Sequence, residues 1–452
     1  MDVLDEIETW DRARLAEHES MLLRTQLTRV ARDSPFYRDK LAEAGVDPRA
    51  IRNVEDLRRV PFTEKDELRR SLAEHPPLGS HLAVPVTDLV QIQATSGTSG
   101  TPSYFGLTHH DLRVWGTAGA RAFYAAGVRP GDLVLHGWGM SKGFAGGVPA
   151  VRVLQQLGCV VIPIGGEAGA ERLVTVAASL RPTVFCTGPN FALHAGRIAE
   201  EVLGRSASTL GVERLVVGGE PGGGVPAIRS QIEQLWGATS CETLGNSDVV
   251  PIVFGECLER DGMHLVAQGL VHVELIDPET GRDVALEAGA SGELVLTALD
   301  RLASPLIRFR TRDHLEVLST ECACGRTGPR VRCVGRTDDM LIVRGINVWP
   351  SAVREVVVSF QPRLTGNLRI LADFDGHSTE QRLVVRVEHA ADLPSDVLGV
   401  VAEELERRMT QVLAFRPRLE LVPPGIIPEP GVNKTALVQR VPESGVAVSR
   451  NK

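Results

Sequence analysis

Four short apolar runs decide the fold: LVLHGW (133–138), CVVIPIGG (159–166), PTVFCTG (182–188) and RLVVGGE (214–220). Each reads as a strand that runs into glycine. Amphipathic stretches such as PAVRVLQQL (149–157) and RLVTVAASL (172–180) lie between them. Strand-like runs alternating with helix-like stretches predict an α/β core with largely parallel strands. Ligands bind such sheets at the carboxyl ends of the strands.

Upstream, residues 1–75 read as helical, with Leu4, Ile7, Trp10, Leu15, Leu22 and Leu27 at helical spacing. Downstream, from about 270 to 332, strand signals crowd together in HVELID (272–277), GELVLTAL (292–299) and LIRFRTRDHLEVL (306–318), which predicts an antiparallel, barrel-like subregion. GRTDD (335–339) reads as a boundary. Beyond it come NLRILADF (367–374), QRLVVRVEH (381–389), a helix after Pro394 carrying Val397, Val401, Leu405, Met409 and Leu413, and RLELVPP (418–424). The expected organisation is an α/β domain over 1–334 and a small α+β domain over 335–452, with no internal repeat.

The chain has 452 residues, 43% hydrophobic and 23% charged, as in ordinary globular proteins. A net charge of −8 gives no general attraction to nucleic acid or an anionic membrane. No segment has the apolar length of a membrane span, and the acidic start MDVLDEIETW lacks a basic, then apolar, leader. Seven scattered cysteines do not make a disulfide framework. A cytoplasmic protein is expected. Only Lys40, Lys65, Lys142, Lys434 and Lys452 are lysines among 49 basic residues, so any lysine in a motif stands out.

The strongest chemical signal is ATSGTSGTP (94–102), which follows the strand-like LVQIQ (89–93). Ser96, Gly97, Thr98, Ser99, Gly100 and Thr101 are all small, so the backbone can curl around an anion and offer N–H and hydroxyl donors. A Walker loop needs a glycine followed by Lys and Ser or Thr, and a dinucleotide fingerprint needs GxGxxG; neither is present here. The loop is expected to contact phosphate by another route.

With its neighbours, this loop resembles that of the adenylate-forming (acyl-AMP) ligase superfamily, and the chain is similar to its phenylacetate–CoA ligase branch. DSPFYRDKLAEAGVD (33–47), VPFTEKDELRR (60–70), the loop with Gly106 and Thr108, GGEP (218–221), LGNSD (244–248), PLIRFRTRD (305–313), GRTDDMLIVRGINVWPS (335–351) and a glycine-then-lysine tail (431–434) follow in family order. The resemblance implies a carboxylate attacking the α-phosphate of ATP to give acyl-AMP, then coenzyme A displacing AMP. Both steps develop negative charge on oxygen, so cations and backbone donors must stand ready.

By that resemblance, residues 96–101 hold the β,γ-phosphates. Gly219, Glu220 and Pro221 line the adenine pocket, with Gly245, Asn246 and Ser247 also at the nucleotide. Asp313 takes the ribose hydroxyls, the alternative being an ion pair with Arg310 or Arg312. Arg336 contacts ribose or phosphate, and Asp338 is the hinge of the small domain. Lys434 neutralises the carboxylate and α-phosphate oxygens, a task that suits a compact, mobile charge. Two departures appear: Leu244 stands where the family has a tyrosine packed on adenine, and Asp248 where it has a glutamate that helps hold Mg²⁺. Aspartate is still a hard oxygen ligand.

Cys257, His264, Cys322 and Cys324 form a Cys₃His complement suited to a structural zinc. Cys159, Cys186, Cys241 and Cys333 read as ordinary buried cysteines. Trp138, Met140 and Phe144 lie in the glycine-rich HGWGMSKGFAGG (136–147), which by resemblance lines the acyl pocket; the alternative is the core. Lys142 faces substrate or solvent, and His109 and His110 read as structural or solvated residues, not a ligand pair. The expected activity is an aryl-carboxylate–CoA ligase using ATP, Mg²⁺ and coenzyme A. A carrier-protein phosphopantetheine arm as acceptor, a weakened nucleotide-binding homologue, and a homodimer stay open.

Overall fold

The glycine-ended runs do lie side by side. A computed structural model describes residues 2–95, 103–141, 143–374, 376–428 and 436–440. Strands Val160–Pro163, Leu133–His136, Val184–Thr187, Arg214–Gly218 and Thr239–Asn246 pair in parallel, in that spatial order. Between them run helices Val148–Gln156, Ala170–Leu180, Pro189–Leu203 and Pro226–Trp236. Proline in the first turn of three of these presets the helical φ where no N–H partner is needed. Left-handed Gly204 and Gly237 end the last two. Val134, Val184, Cys186, Val216 and Cys241 pack with Phe123 and Leu154 from the covering helices.

The strand Thr239–Asn246 pairs on both edges, and here the sheet changes character. Val250–Glu256, Met263–Leu265, Arg330–Arg336, Phe309–Ser319, Ser291–Ala298, Val271–Ile276 and Asp283–Val284 continue it, antiparallel at the registers given for these strands. Among the described residues the crowded strands of 270–332 thus extend the parallel sheet edge to edge, and no closed barrel separates from it.

The N-terminal segment is helical as expected: Arg12–Asp33, Pro35–Glu43 and Lys65–Glu74, with Asp11 and Ser34 capping the first two. Leu23, Leu27, Tyr37 and Leu57 pack against Leu299 and Ile307. The buried Tyr37 hydroxyl accepts from the Ile307 N–H (2.8 Å) and meets the Thr63 hydroxyl (3.1 Å), which donates to the Ile307 carbonyl (2.7 Å). This stitches VPFTEK to PLIRFRTRD. Among the described residues no helix is long and apolar enough to cross a membrane.

The chain divides into two units, Met1–Cys333 and Val334–Lys452. In the second, strands Arg418–Val422, Val384–His389, Leu364–Ala372 and Val438–Arg440 form one sheet. The helix Leu398–Leu413 buries Val401, Leu405 and Met409 as the spacing requires. A second helix, Pro350–Val358, follows the short strand Ile346–Val348; the sequence reading did not include it. Cys333 is only half-buried, in contrast to Cys159, Cys186 and Cys241; it sits in a strand whose two faces are both partly open.

Candidate functional site

Strands Gln91–Ala94 and Tyr104–Leu107 form an antiparallel hairpin. The Thr95 N–H donates to the Ser103 carbonyl (2.9 Å), and the Ser103 N–H donates back to the Thr95 hydroxyl (3.1 Å). Residues 96–102, which include the expected phosphate loop, lie outside the described residues. The root of the loop is fixed on another side as well: the Ala94 N–H donates to the Gly143 carbonyl (2.8 Å), and Ala94 bridges Phe144. Backbone pairing therefore brings Ala94, at the start of the hydroxyl-rich motif, against the aromatic stretch some fifty residues further on.

That stretch is itself held. Glu167 accepts from the Met140 N–H (2.9 Å), the Ser141 N–H (2.9 Å) and the Ser141 hydroxyl (2.7 Å). Partial burial raises its pKa, but these donors outweigh that and keep the carboxyl below its usual range. Trp138 turns inward: it is 8% exposed, packs on Phe123 and His136, and donates its indole N–H to the Gly218 carbonyl (3.1 Å). Met140 and Phe144 are half-buried. Lys142 lies outside the described residues.

At the carboxyl end of strand Arg214–Gly218, Gly219 takes φ +89°, a conformation open to glycine. Glu220 then turns back and accepts from the Asn190 N–H (3.1 Å) and side-chain amide (2.9 Å). Behind this loop, Glu242 faces the backbone of Gly223 and Gly224; burial first, then neighbouring Glu256, push its carboxyl up to about 7.

The next loop carries Leu244 to Asp248. Gly245 is required: a Cβ there would lie 2.0 Å from the Pro251 carbonyl oxygen, where the strand pairing is irregular. The Asn246 side chain accepts from the Asp248 N–H (3.0 Å) and turns the chain. Leu244 and Ser247 are half-buried. The Asp248 carboxylate, 7% exposed, pairs with the Lys65 ammonium at 3.1 Å. Arg301, fully buried, donates to the Asp248 and Val249 carbonyls (2.7 and 2.5 Å) and stacks near Phe105 and Trp115. Sequence reasoning missed both cations. The scarcity of lysine was a signal for Lys65; nothing local marked Arg301.

Nearby, Arg310 and Arg312 both pair with Glu64 and Glu293. Asp313 is buried, and its N–H donates to the Thr311 hydroxyl (3.1 Å).

Cys257, His264, Cys322 and Cys324 converge, with all four ligand atoms within 4.8 Å of one another. The Cys257 and Cys322 sulfurs are 3.8 Å apart, and the Cys324 sulfur is 3.4 Å from His264 Nε2. Tetrahedral zinc with ordinary Zn–S and Zn–N bonds requires S···S of about 3.8 Å and S···N of about 3.6 Å. The donor set fits zinc in both chemistry and spacing.

In the second unit, Arg336 forks onto Asp338 at 2.9 and 2.7 Å, so two residues singled out separately hold each other. Lys434 lies outside the described residues.

No protein-family model matches the chain. It is 35% identical to the phenylacetate–coenzyme A ligase of Thermus thermophilus, over 94% of this chain and 96% of that one. It is 32% identical to the enzyme of the same name from Escherichia coli, over 94% of each. The chain belongs to the phenylacetate–CoA ligase family. Its fold matches the crystal structure of 2-hydroxyisobutyryl-CoA ligase in complex with 2-HIB-AMP, with TM-score 0.89 and 30% identity, covering 96% of this chain and 91% of that one. As a member of the phenylacetate–CoA ligase family, the chain is an AMP-forming acid–thiol ligase: it activates a carboxylate with ATP and passes the acyl group to coenzyme A.

Proposed function

We propose that the substrate is a flat aryl carboxylate, converted to its acyl-AMP and then its CoA thioester. The observation that carries this is the Ala94 junction, where the residue two before the loop expected to hold phosphate is hydrogen-bonded to the stretch carrying Phe144. An acid lying against Phe144 and Met140 would present its carboxylate beside a nucleotide held by residues 96–101. Met140 is positioned through Glu167. Trp138 supports the slot from the core and does not line it.

In this reading Asp313 holds the ribose and Gly219 to Pro221 flank the adenine. Leu244 offers an apolar surface to adenine in place of an aromatic ring. Lys434 supplies the ammonium for the developing charge in acyl-AMP formation. Asp248 would hold Mg²⁺ through a carboxylate that already faces a cation, the Lys65 ammonium, and the metal would supply neutralisation of phosphate charge. The Arg336–Asp338 pair sits at the hinge about which the small unit turns. Zinc at Cys257, His264, Cys322 and Cys324 staples two loops, without a catalytic role.

Carboxylate-dependent exchange of labelled pyrophosphate into ATP tests the reading across phenylacetate, benzoate, anthranilate and short aliphatic acids. The expected result is exchange with an aryl acid at least tenfold above any aliphatic acid. Exchange with aliphatic acids alone overturns the substrate class, and exchange with none overturns the activity. Release of AMP with a carrier protein but not with coenzyme A would move the acceptor to a phosphopantetheine arm.

A further inference from the structure

Arg301 is a buried charge with no role in the reading above. Its side chain is 2% exposed. Nε and Nη2 find no hydrogen-bond partner among the described residues. Burial lowers its pKa, and Asp111 and Asp248 offset this through space. The rings of Phe105 and Trp115 stand 5.3 and 5.4 Å from its guanidinium carbon. As a source of stability this is a poor arrangement. Taking a guanidinium from water is expensive, and an apolar side chain would fill the space between two rings at less cost. What the charge does supply is a strong donor at a fixed point.

That donor is aimed at one loop. Nη1 donates to two consecutive carbonyls, those of Asp248 (2.7 Å) and Val249 (2.5 Å). The Trp115 indole N–H joins it at the Val249 carbonyl (3.1 Å). On the other side, the Asp248 N–H donates to the Asn246 side chain (3.0 Å) and the Val249 N–H to the Asn246 carbonyl (3.0 Å). The backbone of Asp248 is therefore held from both sides. Its carboxylate keeps only side-chain rotations, and Lys65 at 3.1 Å limits those. The base of the clamp is fixed too. The Arg301 carbonyl accepts from the Gln26 side-chain amide (2.7 Å) and from the Arg29 guanidinium, both on helix Arg12–Asp33. The N–H groups of Leu302 and Ala303 donate to the buried Asp111 carboxylate (2.6 and 3.1 Å), on helix His109–Ala125. Two helices set where Arg301 starts, and two rings set where it points.

We propose that Arg301 is a positioning residue for the metal-bound nucleotide: by clamping the backbone of Asp248 it holds that carboxylate ready for Mg²⁺. This rests on the role given to Asp248 above. Groups that orient a metal ligand without touching the metal are worth about 10–100-fold in metal affinity. Arg301 acts through the backbone, and Lys65 steadies the same carboxylate, so the low end of that range is expected.

The test is calorimetric binding of α,β-methylene-ATP, which cannot be cleaved at the α-phosphate, once with Mg²⁺ and once with EDTA. The ratio of the two affinities is the gain from the metal. Arg301→Met keeps the packing between the rings and removes the donor; it should cut the gain about threefold to tenfold and leave the affinity in EDTA within twofold. Arg301→Lys, which can still donate to both carbonyls, should restore the gain to within twofold of the wild type. Asp248→Asn should lose the gain at least as far as Arg301→Met does. If Arg301→Met does not fold, Arg301→Gln, neutral and shorter, carries the same expectation. An equal fall in Mg²⁺ and in EDTA means a purely structural role and overturns the proposal. So does an unchanged gain in Arg301→Met when Asp248→Asn has lost it, and that result leaves the Asp248 reading intact. A gain that survives Asp248→Asn, or a wild type with no gain, removes both.

Discussion

Replacing Cys324 with serine removes one donor from the four-residue cluster, and the structure sets the size of the effect. Cys257 and Cys322 are 65 residues apart, and closing a loop of that length is worth about 4 kcal/mol by chain entropy. Pairing of Met263–Leu265 with the strand beginning at Arg330 already closes most of it. The ring left for a metal to close runs out from those strands through the cluster and back, about 14 residues, worth about 3 kcal/mol. For a unit of this size that corresponds to a melting shift of about 4 °C. The assay is metal analysis of protein purified without added zinc, followed by thermal unfolding. The wild type should carry about one zinc per chain, and Cys324→Ser should carry little and melt about 4 °C lower. A metal-free wild type that melts with the variant would refute the staple.

Lys434→Ala should lose pyrophosphate exchange by orders of magnitude, on the order of 10²–10³-fold as for other preorganised charge stabilisers, yet still turn preformed acyl-AMP into thioester. Lys65→Met removes a charge-assisted bond from Asp248 and should cut exchange about tenfold; adding Asp248→Asn should then cost much less than it does alone, which a double-mutant cycle reads directly. Tyr37→Phe leaves the buried Ile307 N–H without its acceptor and should destabilise by about 1–3 kcal/mol in denaturant melts. Glu242 keeps its proton to about 7 in the fold, against a usual 4.5. Its contribution to stability is therefore full below about 4.5 and lost as pH rises to about 7. Glu242→Gln stays neutral throughout, so its melting temperature should gain on the wild type between pH 5 and 8; a constant difference would exclude this titration.

The division between what was legible and what was not follows from range. A strand, a helix cap or a glycine loop is written in consecutive residues, so the runs that end at Gly137, Gly188 and Gly219 revealed the parallel sheet. The Pro350–Val358 helix carries four valines in nine residues, a β-branched composition that gives little helical signal. The crowded strands of 270–332 were legible as antiparallel, but not their joining to the parallel sheet, because that depends on which free edge each strand finds. The cluster of Cys257, His264, Cys322 and Cys324 was visible because such side chains are rare and chemically alike.

Pairings between distant residues carried no such mark. Lys65 meeting Asp248, Arg301 bracing the same loop and Trp138 turning to the core all depend on where the backbone brings side chains of ordinary type. Local pattern decided the elements, their order and the chemistry on offer, since helix and strand periods are properties of neighbouring residues. The partner of each buried charge was decided only in three dimensions, because an ion or a donor taken from water is satisfied by whatever the fold places within about 3 Å of it.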